Sequence, residues 1–239
     1  PGWPKVYGGA RMQRATDIVA SSDGGYLVVG DTDSEGVYGV DVYVLKVDGS
    51  GILEWEQQIG GTGEDSANAV IAVDAGFVIA GRSDSPGTNG GMDAFVVAID
   101  DSGNVLDMAW FGGEADDTAA DVIETSDGNL LFVGDTATFG DNPVDAYIVR
   151  LSVDLEKISS VTVGGTGTDS AQSVVENNDG SFVVVGSTTS IGAGQFDAYL
   201  FAVSADLGTV LWERAFGNEG NDFGSAIALS SEGGYVITG

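Results

Sequence analysis

Cysteine and histidine are both absent from this 239-residue sequence. Without cysteine, the chain can form no disulfide, thiol nucleophile or iron–sulfur cluster, and a zinc finger is excluded as well. Without histidine, it has neither a Ser-His-Asp triad nor a metal site with imidazole ligands. Any metal bound by this chain would therefore be held by oxygen ligands.

Basic residues and long hydrophobic runs are also scarce. Lys and Arg together number 8 against 37 Asp and Glu, which gives a formal net charge of −29. Nucleic-acid-binding proteins need a basic surface, so this charge excludes that class. Apolar runs such as residues 182–185 are far shorter than the roughly 20 residues of a transmembrane helix. We therefore expect no nucleic-acid partner and no membrane insertion.

The acidity itself has two interpretations. Asp occurs 26 times and Glu 11 times, whereas Lys occurs only 3 times. Turns that favour Asp would explain its excess over Glu, but not the shortage of Lys. An acidic, Lys-poor surface suits high salt, which screens the repulsion between like charges. The composition therefore favours a halophilic or marine setting.

An internal repeat of about 52 residues organises the chain. Its clearest mark is a Gly-Gly pair, which becomes Gly-Asn in the last copy. The five pairs begin at residues 8, 60, 112, 164 and 217. Asn is the non-glycine residue most often found at positive φ, so we expect a left-handed backbone at the second position of each pair. A further glycine ends an apolar run in every copy, at residues 30, 81, 134, 186 and 239.

Each copy contains four strand-like segments separated by turn residues. In the first copy these segments, called a to d, are residues 16–21, 26–31, 41–47 and 52–59. The b and c segments are continuously apolar, which is typical of strands buried on both faces. Four antiparallel strands in a repeat of this length are typical of a propeller blade, which is buried between its two neighbours. The sequence therefore predicts an all-β propeller of four-stranded antiparallel blades.

We expect residues 1–239 to form a single propeller domain of about five blades. An N-terminal d strand at residues 3–7 precedes four full blades, and a partial last blade has only a and b strands, near residues 225–230 and 235–239. The N-terminal strand is expected to close the ring beside the last b strand. Alternatively, a neighbouring chain supplies the missing strand, which would give self-assembly through the terminal strands.

Three stretches of the second copy resemble a known repeat. They are residues 60–67 (GGTGEDSA), 80–86 (AGRSDSP) and 92–96 (MDAFV), and the same pattern covers nearly the whole chain. These stretches resemble the SBBP-type β-propeller repeat of secreted and surface proteins in bacteria and archaea. The resemblance implies an extracellular or cell-surface location and a modular, non-catalytic role. The family label also implies seven blades.

Two series of aspartates keep the repeat period. The series in the d–a turns is Asp65, Asp117, Asp169 and Asp222. The series at the ends of the b–c loops is Asp41, Asp93, Asp145 and Asp197. Both kinds of connection lie on the same face of a propeller. We therefore expect the two series to line one rim of a binding face, with the d–a series nearest the central channel.

Carboxylates that crowd one rim repel each other unless they are hydrogen-bonded or bind a metal. Hydrogen bonds from the N–H groups of the turns are one account of them. A site for Ca²⁺ at the d–a aspartates is the other, because this ion prefers oxygen ligands. Residues 60–65 and 164–169 also fit the calcium-binding nonapeptide of RTX proteins, but that motif works only in tandem copies.

Two functions from different classes suit these observations. A rigid disc with many equivalent loops suits a non-catalytic secreted or cell-surface scaffold that binds a protein or glycan partner through its loop face. The alternative is a carbohydrate-active hydrolase that uses carboxylates on the rim of the central funnel. A catalytic pair needs two unlike environments, and near-identical blades offer near-identical ones. The sequence therefore favours the scaffold and predicts no enzyme activity.

Overall fold

A computed structural model describes residues 5–9, 12–33, 39–85, 87–140 and 142–239. Blade 1 consists of β1 (Gln13–Ala20), β2 (Tyr26–Thr32), β3 (Asp41–Val47) and β4 (Leu53–Ile59). Blade 2 consists of β5 (Asp65–Val73), β6 (Gly76–Ser83), β7 (Asp93–Ile99) and β8 (Val105–Phe111). Blade 3 consists of β9 (Asp117–Glu124), β10 (Leu130–Thr136), β11 (Asp145–Leu151) and β12 (Lys157–Val163). Blade 4 consists of β13 (Asp169–Glu176), β14 (Phe182–Thr188), β15 (Asp197–Val203) and β16 (Val210–Phe216).

A two-stranded sheet, the partial blade, follows these four blades and consists of β17 (Ala226–Leu229) and β18 (Tyr235–Thr238). Within each sheet, consecutive strands pair antiparallel. The predicted fold class, an all-β propeller of four-stranded antiparallel blades, is confirmed. Among the described residues, no helix has the length and apolar character needed to span a membrane.

The predicted N-terminal strand is not seen where the structure describes it. Residues 3 and 4 lie outside the described residues, and Lys5 to Tyr7 belong to no strand. Within the described part of the chain, β18 pairs only with β17. The expectation that residues 3–7 close the ring beside β18 is therefore wrong for the described part of that segment.

The core lies between the blades, because consecutive blades pack face to face, one face of a blade on the blade before it and the opposite face on the blade after it where the described chain has one. We call these the front face and the back face of a blade. Phe132 and Tyr147, on the front face of blade 3, pack in one cluster with Ala80, Ala94 and Val96 on the back face of blade 2. The same arrangement of large front-face and smaller back-face side chains joins blades 1 and 2 and blades 3 and 4. This packing explains why the b and c strands are apolar on both faces.

A β-bulge recurs in the inner strand of each full blade, opposite the glycine that ends the b-strand apolar run. In blade 2 the register of β5 shifts between Ala67 and Ala69, where Gly81 is the partner of Ala67. A Cβ atom on Gly81 would lie well under 3.0 Å from the backbone oxygen of Ser66. The glycine is therefore required because the bulged strand approaches it too closely for any side chain.

The Gly-Gly turns correct one expectation from the sequence. The second position does not have positive φ at Gly61, Gly113, Gly165 or Asn218. The first glycine is the constrained one, because a Cβ atom on Gly112 would lie under 3.0 Å from carboxylate oxygens of both Asp93 and Asp117. Asn is therefore accepted at the second position of the last copy because its backbone there has an ordinary conformation.

Candidate functional site: the rim and the central channel

The structure brings the two aspartate series together in pairs, one pair at each blade junction. Asp93 at the start of β7 and Asp117 at the start of β9 lie on either side of Gly112. The equivalent pairs are Asp41 with Asp65, Asp145 with Asp169, and Asp197 with Asp222. In each pair, one aspartate starts the c strand of one blade, and the other lies at or just before the inner strand of the next blade. Both series therefore share one rim.

Each d–a aspartate accepts hydrogen bonds from its own turn. Asp65 Oδ2 accepts from the N–H of Gly61 at 2.9 Å and from the hydroxyl of Ser85 at 2.6 Å. The turn bond recurs from Gly113 to Asp117, from Gly165 to Asp169 and from Asn218 to Asp222. Hydrogen bonding within the turn therefore accounts for the spacing of this series.

Burial and a neighbouring carboxylate disfavour the ionised form of Asp41 and of Asp93. The pKa of Asp41 is raised, first by burial and then by the carboxylate of Asp65. The pKa of Asp93 is also raised, mainly by burial and further by Asp117, although a hydrogen bond from the N–H of Asn89 opposes the shift. One oxygen, Oδ1, is buried without a hydrogen-bond partner in Asp93, Asp117 and Asp197. At these two junctions the fold therefore holds Asp41 and Asp93 close to a second carboxylate against their electrostatic preference.

The predicted calcium site can be compared with this geometry. Ca²⁺ takes about 6–8 oxygen ligands, but each junction brings only two carboxylates together. Across the described part of the chain, no three acidic side chains converge in a way that could hold a metal ion. Donors in the turn already occupy one oxygen of each d–a aspartate. The residues at the rim therefore do not fit a calcium ion well, and calcium binding stays a prediction.

A calcium titration tests that prediction. Because each junction brings only two carboxylates together and a turn donor already uses one oxygen of each d–a aspartate, we expect millimolar CaCl₂ to raise the melting temperature no more than MgCl₂ at the same concentration. The measurement is differential scanning fluorimetry on the wild type and on Asp117→Asn. A calcium-specific rise that disappears in Asp117→Asn would instead establish a metal site at this junction.

The central channel contains a polar site that the repeat pattern did not predict. The inner strands β1, β5, β9 and β13 and the start of β17 surround a cavity of about 690 Å³. Its polar lining includes Asp17, Asn68, Arg82, Asp121, Asp135 and Gln172. Ser83 and Thr136 pair with the rim residues Asp65 and Asp117. Arg82 and Asp135 each lie next to one of these two residues in their strands, one position farther from the rim. The site therefore lies in the channel just beneath the aspartate rim.

The channel is where the blades stop being alike. The residue after the b-strand glycine is not constant in the four full blades: it is Asp31, Arg82, Asp135 and Ser187 in blades 1 to 4. In blades 1 and 4 it has a partner on the adjoining strand, since Arg14 Nη2 lies 2.6 Å from Asp31 Oδ2 and the hydroxyls of Ser170 and Ser187 are 2.8 Å apart. The side chain of Arg82 makes no hydrogen bond or ion pair with any described residue, and the carboxylate of Asp135 accepts one bond, from the N–H of Ala171 at 3.1 Å. Arg82 and most of the Asp135 carboxylate are therefore available to a ligand.

Two further carboxylates in the channel have structural partners. Asp17 Oδ2 accepts from the N–H of Val70 at 2.8 Å, and Asp121 Oδ2 accepts from the N–H of Val174 at 3.0 Å. Each therefore joins its blade to the inner strand of the next one. Burial raises the pKa of Asp121, although these hydrogen bonds oppose the shift. Burial also raises the pKa of Asp135, to about 6.

These observations correct the expectation that near-identical blades offer only near-identical environments. Arg82 and Asp135 face one cavity from two adjacent blades, although they occupy equivalent positions. The signal was present in the sequence, because the residue after each b-strand glycine changes while the glycine does not. The sequence analysis did not identify this position, because an isolated polar residue inside an apolar run forms no recognisable motif.

The raised pKa of Asp135 gives a pH-dependent prediction. Because its pKa is about 6 in the folded chain and about 4 when unfolded, the folded state binds this proton more tightly. The resulting stabilisation is complete below about pH 4 and is lost as the pH rises to about 6. We therefore expect Asp135→Asn to gain stability relative to the wild type over this interval, reaching about 2–3 kcal/mol at pH 7.

Urea unfolding of both proteins at a series of pH values measures this difference. Asp179→Asn is the control, since the pKa of Asp179 is lowered by hydrogen bonds from Ser181. Its stability relative to the wild type should fall as the pH rises towards about 4 and should stay constant above that pH. A difference between Asp135→Asn and the wild type that does not change with pH would contradict the assignment.

Comparisons with known proteins bear on the fold. No protein-family model matches the chain, and no curated protein sequence does. The WD40 domain of Neurospora crassa Pan2 aligns with 94% of this chain and 86% of its own, at a TM-score of 0.52 and 10% identity. A Bifidobacterium bifidum s17 protein, provisionally described as an exo-beta-1,3-galactanase, aligns with 89% of this chain and 75% of its own, at a TM-score of 0.50 and 14% identity. At these identities the likeness shows a shared propeller fold and nothing further.

Proposed function

We propose that this chain is a non-catalytic secreted or cell-surface scaffold that binds a protein or glycan partner through the rim and the channel beneath it. The observation that carries the proposal is the pair of unlike, available side chains, Arg82 and Asp135, which face one channel from equivalent positions of two adjacent blades. The resemblance to the SBBP-type repeat and the acidic, Lys-poor composition support an extracellular, saline setting.

The chemistry of the channel favours a glycan as its ligand. A guanidinium, a carboxylate and the side-chain amides of Asn68 and Gln172 offer both donors and acceptors. Sugar hydroxyls can use both kinds of group. The cavity of about 690 Å³ also lies within the usual range of small-molecule sites, about 300–1,000 Å³. With a net charge of −29, the protein repels anions, so a neutral sugar suits the channel better than an acidic one.

Glycan-array binding, followed by calorimetry on the best binder, tests this proposal. We expect Arg82→Ala to weaken binding at least tenfold, because it removes the one guanidinium that faces the cavity from the described strands. Arg214→Ala is the matched control, since Arg214 is exposed on β16 and bonds the backbone oxygen of its neighbour Glu213. Failure to bind any glycan, or equal loss in both variants, would count against a glycan site in the channel.

Hydrolysis of glycans is a second candidate function, and one observation favours it. Asp135 and Asp121 share the channel but have different hydrogen-bond partners, and glycosidases need two carboxyl groups in unlike environments. A pKa of about 6 would suit Asp135 to donate a proton. Turnover of a polysaccharide panel by the wild type, lost in Asp135→Asn or Asp117→Asn, would replace the scaffold with a hydrolase.

A further inference from the structure

The junction between blades 2 and 3 differs from the other junctions between sheets in one cross-strand pair of side chains. In every full blade, a residue near the end of the c strand pairs with a residue of the d strand, and both lie on the face that meets the next sheet. The four pairs, in blades 1 to 4, are Lys46 with Trp55, Ala98 with Asp107, Arg150 with Ser159, and Ala202 with Trp212. A tryptophan or a long cationic side chain is present in every pair except that of blade 2. Because blades 1 and 4 cover the outer faces of blades 2 and 3, the difference comes from the sequence and not from an end of the chain.

In blades 1 and 3 this position holds a cation. Lys46 is buried, and its ammonium forms ion pairs with Asp23 and Glu54. The guanidinium of Arg150 forms an ion pair with Asp127. Two junctions therefore share one arrangement, in which an apolar stem lies between two blades and ends in a cation that nearby carboxylates hold.

A backbone carbonyl of the next blade also belongs to this arrangement. Nη1 of Arg150 donates to the oxygen of Ala205 at 2.9 Å, and Nε1 of Trp55 donates to the oxygen of Asp101 at 3.1 Å. Both acceptors are the second residue of a c–d hairpin, and the second residue of the equivalent hairpin in blade 3 is Val153. Its oxygen accepts no hydrogen bond from any residue that the structure describes. The junction between blades 2 and 3 therefore keeps the acceptor without a donor of its own.

A cavity of about 540 Å³ lies at this junction. Ala98 and Asp107 line it, together with Val78 of blade 2 and Leu130 of blade 3, which belong to the buried core. Val153, at 64% exposed, lies where the cavity opens to solvent. Because a–b turns and a c–d hairpin surround this opening, it lies on the face opposite the aspartate rim. The volume is within the usual range of small-molecule sites, about 300–1,000 Å³.

Carboxylates surround the cavity, and no lysine or arginine lines it. The four carboxylates are those of Asp74, Asp107, Glu124 and Asp154. That of Asp107 accepts one hydrogen bond, from the N–H of Met108 at 2.8 Å. The other three have no hydrogen-bond or ion-pair partner among the described residues. This junction therefore has the negative charges of the other two without the side-chain cation.

We propose that the cavity between blades 2 and 3 binds a small organic cation, in which an ammonium or guanidinium group is attached to an apolar body. The apolar body packs on Val78 and Leu130. The cation lies among the carboxylates, and the oxygen of Val153 accepts a further hydrogen bond. The net charge of −29 also attracts cations to the protein. This inference does not depend on the function proposed above, because the cavity shares no lining residue with the channel.

Nuclear magnetic resonance titration of the ¹⁵N-labelled full chain with probes of similar size tests the need for a positive charge. The probes are 2-phenylethylamine, which is protonated at pH 7, the neutral 2-phenylethanol and the anionic 3-phenylpropionate. We expect the amine to bind at least tenfold more tightly than the alcohol, because its ammonium makes charge-assisted hydrogen bonds to carboxylates. The anion should not bind. The amide signals that shift should include those of Gly128 and Val153, which line the cavity.

The contribution of the apolar body is tested with n-butylamine, which carries the same charge on a chain like that of lysine. It should bind at least tenfold more weakly than 2-phenylethylamine, because it buries less apolar surface. Equal affinity would assign the site to a lysine side chain of a partner protein and would overturn the proposal of a small molecule.

Ala98→Lys gives blade 2 the cation that Lys46 gives blade 1. Because its ammonium should occupy the cavity, this variant should lose at least tenfold in affinity for 2-phenylethylamine without a lower melting temperature. Thr209→Lys is the matched control, since it makes the same change in charge at an exposed residue that does not line the cavity. It should bind the amine like the wild type.

Removal of two carboxylates is a second test, which requires no new side chain to pack in the cavity. Glu124→Gln combined with Asp154→Asn should weaken binding of the amine at least tenfold and leave binding of 2-phenylethanol unchanged. Glu219→Gln combined with Glu232→Gln is the matched control, because both residues are exposed and lie outside the cavity. It should bind both probes like the wild type.

Three further results would overturn the proposal. The first is equal affinity for the amine and the alcohol. The second is a folded Ala98→Lys that binds the amine as well as Thr209→Lys does. The third is an equal loss of affinity in the two carboxylate variants, since the amine would then respond to net charge and not to this cavity.

Discussion

Gly81→Ala should lower the free energy of unfolding by at least about 3 kcal/mol, which places it among the most damaging single substitutions. The new Cβ would lie well under 3.0 Å from the backbone oxygen of Ser66. No rotamer change can relieve this clash, because both atoms belong to the backbone framework of one blade. The β-bulge around Ala67 would have to move away, which disturbs the inner strand on which the next blade packs. Urea or thermal unfolding measures the effect.

Gly220→Ala serves as the control for this prediction. Gly220 has no heavy atom within 4 Å of the position where a Cβ would be added, apart from its chain neighbours. We expect this variant to unfold within about 0.5 kcal/mol of the wild type. If Gly81→Ala were as stable as Gly220→Ala, the close approach at the bulge would not be a constraint on the fold.

Removal of both carboxylates around Lys46 should cost about 3 kcal/mol or more. Lys46 is 1% exposed, and its Nζ lies 2.7 Å from Asp23 and 2.9 Å from Glu54. Burial lowers the pKa of Lys46, but its hydrogen bonds to the two carboxylates outweigh this and raise it. The double variant Asp23→Asn with Glu54→Gln leaves a buried ammonium without a counter-ion.

Lys46→Met tests whether the cost comes from the stranded charge. Added to the double variant, it should restore stability to within about 1 kcal/mol of the wild type, because an apolar side chain of similar length needs no partner. In the wild type the ion pair should also weaken at low pH. The pKa of Asp23 is lowered to about 2 by the hydrogen bond from Lys46, so its contribution is lost as the pH falls from about 4 to about 2. If Lys46→Met fails to rescue, the loss has another origin.

The fold could be predicted from the sequence because its signals repeat. Continuous apolar segments such as β7 (Asp93–Ile99) recur in each full copy, and turn residues separate them, so errors at one site are corrected by the others. The length of the repeat and the positions of the strands within it could therefore be predicted well. The backbone conformation at Gly61 could not be predicted in this way. A recurring glycine shows that glycine is preferred at a position, but it does not show whether the cause is a positive φ or crowding by nearby atoms.

The candidate site was predicted only in its repeating part. The pairing of Asp93 with Asp117 follows from topology, since both lie on the rim at one blade junction. The channel residues Arg82 and Asp135 could not be found in that way. Arg82 and Asp135 stand out only because the residue type at their position changes between copies. Their proximity depends on the curvature of the whole molecule, which no single repeat determines.

The serial packing of the blades has a consequence for hydrogen exchange. The main contacts between sheets join only consecutive ones along the chain, so each sheet is protected by at most two neighbours. Amide protons of β6 and β10, in sheets covered on both faces, should exchange most slowly. Those of β17 and β18 lie in a two-stranded sheet that has one neighbouring sheet among the described residues, and they should exchange fastest. Exchange rates along the chain would therefore form a gradient from the middle blades outward, and a ligand that bound across the channel would flatten it.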